Sequence, residues 1–149
     1  MVSTSSRVSS QTATKVNRQI RQNAITRIAY FINHPEDVHR RLHELDQEWD
    51  VERVIEANAS TLAFTGIVLG ITVDRRWLAL PFVVTAFLFQ HAVQGWCPPV
   101  PVLRRLGFRT ADEINQERYA LKAIQGDFER IPKATEGKLT PVLKAVDLI

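Results

Sequence analysis

The sequence predicts an all-α protein: a two-helix transmembrane hairpin flanked by amphipathic cytosolic helices. Three observations predict it. Residues 57–73 and 77–103 contain no Asp, Glu, Lys or Arg, while charges crowd both sides of each stretch. Outside them, apolar residues recur at helical spacing among charged ones. Finally, Pro98, Pro99 and Pro101 close the second stretch abruptly.

The chain of 149 residues has room for one domain plus tails. Its net charge of +3 and its 45% hydrophobic content are ordinary averages that hide this segregation. Cys97 is the single cysteine. That excludes an internal disulfide and a multi-cysteine zinc or iron-sulfur site, and it fits a reducing compartment.

Residues 1–15 form a Ser/Thr-rich basic arm with nothing to bury, expected to be disordered. Up to Pro35 the chain carries Arg7, Lys15, Arg18, Arg21 and Arg27 and no acid, as a membrane-surface arm or a mitochondrial transit peptide would. Residues 16–53 hold the amphipathic and acidic helices. From Val16 a stripe runs through Ile20, Ala24, Ile28 and Ile32. Such a helix lies on an anionic leaflet or packs against a neighbouring helix. Pro35, Glu36 and Asp37 suit a helix start, since proline fits the first turn and acids fit the positive end of the dipole. The helix that follows, read through to Glu56, aligns Val38, Leu42, Leu45 and Trp49 on one seam, with Glu44, Asp46, Glu48, Asp50 and Glu52 solvated. His39 and His43 are one helical turn apart with His34 nearby, but no third ligand is committed, so no metal is expected.

Residues 54–112 are the hairpin. The first uncharged stretch has 17 residues before Asp74. That is roughly 26 Å of helix against a hydrocarbon core of about 30 Å, so Val54 and Ile55 or local thinning must complete the span. Ala59, Ala63, Gly66 and Gly70 give it a small-residue face. Such a face allows close helix approach, either within the hairpin or between two copies of the chain. Asp74, Arg75 and Arg76 make the tip, and Trp77 stands where an interfacial aromatic belongs. The second span runs from Trp77 to Gly95, with Pro81 tolerated in its first turn. Arg40, Arg41, Arg53, Arg104, Arg105 and Arg109 flank the base against Arg75 and Arg76 at the tip. This places both termini in the cytoplasm.

Residues 113–149 form a cytosolic helix and tail. Thr110 to Glu113 resembles a capping box, opening a helix from Ala111 to Gln125 that Gly126 ends. A loose tail follows Pro132, with a short helix at Thr140-Pro141.

The candidate site is Gln90, His91, Gln94 and Cys97, since polar groups near the end of an apolar span are functional candidates. Gln90, Gln94 and Cys97 share one helical face with His91 beside them. Either Cys97 contacts sulfur or a soft ligand with its thiol activated by His91, or it is a small apolar residue at the turn. There is no phosphate loop, no nucleophile-base pair and no nucleic-acid recognition motif. No catalytic residue, cofactor or nucleic-acid partner is therefore expected.

Thr65-Gly66-Ile67-Val68-Leu69-Gly70, the charged tip, Gly95-Trp96-Cys97-Pro98, then Leu106-Gly107 and Thr110 resemble the YgaP-type inner-membrane hairpin domain, which also occurs fused to rhodanese. The resemblance covers residues 54–112 and implies cytoplasmic ends in the bacterial inner membrane, homodimerisation and a link to sulfur compounds. The rhodanese loop and its cysteine are absent from this sequence, so sulfur-transfer activity does not carry over. The expected function is a membrane anchor and dimerisation module for a cytosolic protein partner. The alternatives are an oligomeric path for a small sulfur species or anion, lined by the four candidate residues, and a soluble helical protein with a buried apolar hairpin. A mitochondrial membrane is the alternative location.

Overall fold

A computed structural model describes residues 6–128, which are helical with no strand among them. The tail after Pro132 and the helix expected at Thr140-Pro141 lie outside the described residues. The helices are α1 (Arg7–Ser10), α2 (Thr14–Asn33), α3 (Val38–Gln47), α4 (Val51–Thr72), α5 (Ala79–Gln94), α6 (Val100–Arg105) and α7 (Ala111–Ile124). Single 3-10 turns at Pro35–Asp37 and Arg75–Leu78 introduce α3 and α5. The described residues divide into two compact units, one of residues up to 20 with 49–112, the other of residues 21–48 with those from 113 onward.

The first unit contains the apolar hairpin. Asp50 starts α4 by accepting a hydrogen bond from the Arg53 amide at 2.7 Å, and the Val51 amide donates to the Arg109 carbonyl at 2.9 Å. At 22 residues, α4 is about 33 Å long, enough to cross a hydrocarbon core. Val54 and Ile55, expected to lengthen the span, belong to this helix and are buried, Ile55 in a cluster with Val8, Val51, Cys97 and Val100. The chain reverses at Asp74, whose carboxylate accepts from the Arg76 amide at 2.7 Å.

Close approach of α4 and α5 depends on glycine. A Cβ on Gly66 would stand 2.5 Å from Pro81 Cδ and 3.2 Å from the Trp77 carbonyl oxygen. One on Gly70 would meet Leu78 Cδ2 at 2.5 Å. Gly66 and Gly70 are thus used within the hairpin, with Ala59 and Ala63 half-buried on the same face. The opposite faces are open: Ile71, Phe82 and Phe89 are more than 70% exposed.

Two expectations change in this unit. Residues 7–10, part of the arm expected to be disordered, form a helical turn because Val8, 1% exposed, does have something to bury itself in. The second span ends before the prolines, as expected, and a short separate helix opens at them. Pro99 caps α6 and Pro101 lies in its first turn, where a missing N–H costs nothing. Arg104 is not a solvated flanking charge: it is buried, donating to Thr12 Oγ1 at 3.2 Å, the Phe108 carbonyl at 3.0 Å and Asn17 Oδ1 at 3.0 Å.

The second unit has its own core of Phe31, Val38, Leu45, Ile114 and Leu121, with Leu42 and Ile124 against it. Three members of the expected seam are there. The fourth, Trp49, is not, because the helix read through to Glu56 breaks: Glu48 is extended and α4 restarts beyond it. Trp49 is half-exposed under the Arg53 guanidinium at 4.3 Å. At α2, packing accounts for part of the stripe, since Ile20 is buried and Ala24 and Ile28 half-buried, but Ile32 faces solvent.

Candidate functional site

Four candidate residues were expected on or beside one helical face, and the backbone separates them. Gly95 ends α5 in the left-handed region at φ 74°, so Cys97 no longer continues the Gln90 and Gln94 face. Gln94 is exposed and Gln90 half-buried, whereas His91 and Cys97 are 5% and 2% exposed.

Gly95 is required twice over. Besides its positive φ, a Cβ there would lie 2.6 Å from the Arg7 carbonyl carbon, so α1 rests directly on the end of α5. Arg7 Nη1 donates to the Ala92 carbonyl at 3.0 Å. Both ring nitrogens of His91, Arg7 Nε and Glu52 Oε2 are buried without a protein hydrogen-bond partner. The base of the hairpin is thus where the unit carries buried polarity that its own groups do not satisfy.

Cys97 belongs to different surroundings. It packs with Val8, Val51, Ile55 and Val100, and burial pushes its thiol above the ordinary value of 9.0 although the Val100 amide opposes the shift. That environment favours the neutral thiol over the thiolate, which is the reactive form. Cys97 also lines a cavity of about 240 Å³ between α4 and α5, together with Leu62, Val84, Phe87, Leu88 and Pro98. Gln90, His91 and Gln94 are not on its wall.

Of the histidines near α3, His34 and His43 are engaged separately. The His34 ring stacks on Tyr30 at 4.1 Å, and His43 Nε2 is 3.5 Å from Gln47 Nε2. Among the described residues no three His, Cys, Asp or Glu side chains come together as metal ligands.

Glu117 is, with Arg104, among the buried charges that sequence reasoning missed. In the second unit it is fully buried, taking Arg27 Nη2 at 3.2 Å and Arg41 Nε at 2.9 Å. Its partners lie 90 and 76 residues away, so no local pattern shows them. The available signal was its position between Ile114 and Leu121 on the apolar stripe of α7. Of the acids expected to be solvated, Glu44 and Asp46 are exposed and pair with Arg40 and Arg41 and with Arg118, while Glu48, half-buried, pairs with Arg41, and Asp50 and Glu52 are half-buried.

No protein-family model, curated protein or solved structure matches this chain.

Proposed function

We propose that this chain is a bacterial inner-membrane anchor of the YgaP-type hairpin kind, with no catalytic activity of its own. In this reading α4 and α5 cross the bilayer and both termini are cytoplasmic. The supporting observation is exposure. Both helices are long and apolar enough to cross a membrane, yet only 22% of the most apolar window of the first and 6% of the second is buried. A soluble protein would hide such helices in its core, because large exposed apolar patches drive association.

The aromatic residues agree. Trp49 and Trp96 flank the base of the hairpin and Trp77 the tip, the places where interfacial aromatics sit at the two membrane surfaces. The arginine count still bears on orientation although Arg104 and Arg109 end up buried. Topology is chosen as the chain inserts, before those side chains find their places in the fold.

The second unit then serves as the part that a cytosolic protein partner recognises. A homodimer would use the outward faces of α4 and α5, since the glycine face is occupied within the chain. The transport reading gains no support from geometry, because the cavity beside Cys97 excludes the other three polar candidates.

Carbonate extraction of membranes, combined with labelling of cysteines placed at Asp74 and outside the hairpin in a Cys97→Ser background, tests the anchor. Retention in the pellet with only the tip reachable from outside is the expected result. Release into the supernatant would end the membrane reading.

A further inference from the structure

We propose that the cavity between α4 and α5 holds one acyl chain of a bilayer lipid, wedged into the hairpin near its base. The inference rests on the bilayer reading and adds a specific lipid site to it. Along α4 the cavity extends from Ile55 to Leu62, about 10 Å of helix. Pro98 and Pro99 line it at the base, and Leu62 and Phe87 carry its wall onto the exposed apolar surface.

Chemistry selects the occupant. Asn58 is the polar amide on the wall, and its Nδ2 already donates to the Val54 carbonyl at 2.8 Å. Water needs several polar partners to be held in a cavity, and the other lining side chains are apolar apart from the neutral Cys97 thiol. A sulfur oxyanion or other small anion would lose its hydration with no cation on the wall to replace it. An alkyl chain meets neither obstacle. It restores the dispersion contacts that an unfilled void denies its lining, and the bilayer supplies it from the side on which Leu62 and Phe87 are exposed.

The test reconstitutes the full chain into phosphatidylglycerol vesicles containing a phospholipid with a diazirine in its acyl chain, followed by photolysis and adduct mapping by mass spectrometry. Ala59→Phe and Val84→Phe each fill the cavity from a different helix. Adducts at Leu62 and Phe87 are expected to exceed those at Phe82 and Phe89, and to fall about fivefold in either variant while the latter persist. Unchanged adducts at Leu62 and Phe87 in both variants would overturn the site but leave the membrane hairpin standing. Covalent chain–chain dimers at those positions in place of lipid adducts would overturn it in favour of a second copy. Loss of adducts at Phe82 and Phe89 in the native chain would instead overturn the bilayer reading on which the site depends.

Discussion

Single atoms decide the hairpin seam, and the two glycines in it are not equivalent. The Cβ that alanine would add at Gly66 meets the rigid Pro81 ring and a backbone carbonyl, whereas at Gly70 it meets chiefly the movable end of Leu78. Gly66→Ala is therefore expected to cost about 1–3 kcal/mol and Gly70→Ala clearly less, as read from thermal unfolding in detergent micelles. At Cys97 the sign of the pH dependence follows from burial. Its raised pKa means that the fold favours the neutral thiol, a preference fully present below the ordinary value of 9.0 and lost as pH rises through the folded value. Maleimide should therefore label the native chain slowly at neutral pH and quickly once the chain is unfolded; fast native labelling would contradict this environment. Glu117→Ala leaves Arg27 and Arg41 facing a site without its carboxylate, at a cost of about 3 kcal/mol. A normal melting temperature for that variant would show that the triad contributes little.

Among the elements, α1 shows how little sequence is needed to change a segment's fate. Four residues cannot hold a helix by propensity, and Val8 in its pocket with Arg7 on the end of α5 holds this one. Val8→Asp is expected to release it, and tryptic cleavage at Arg7 should then accelerate severalfold over the native chain. Equal cleavage rates would mean that the turn is not docked in solution. The capping of α4 by Asp50 is a smaller matter: Asp50→Ala should cost about 1 kcal/mol without shifting the span. The existence of α2, α3, α4, α5 and α7 was legible, because apolar spacing and proline placement are local signals, whereas α1 and α6 were not. The break at Glu48 was not, since the acidic residues on both sides suit a helix equally well and the Arg109 carbonyl that receives the Val51 amide comes from far along the chain.

In the whole molecule, the two units have separate cores, one around Val51 and Cys97 and the other around Leu45 and Leu121. The sequence by itself determined the helical class, both uncharged stretches, the tip at Asp74 and the proline turn, because hydrophobicity, charge and backbone restriction belong to residues and their neighbours along the chain. It also marked Gly66 and Gly70 as a close-approach face, though not which helix would approach. Tertiary structure alone decided that α5 of the same chain fills that face, that Val8 is core, that Arg104 and Glu117 are buried and that Cys97 parts from Gln94 to line an apolar cavity. Each of these depends on groups brought together across tens of residues, and no period in the sequence records which distant side chain will share a buried site.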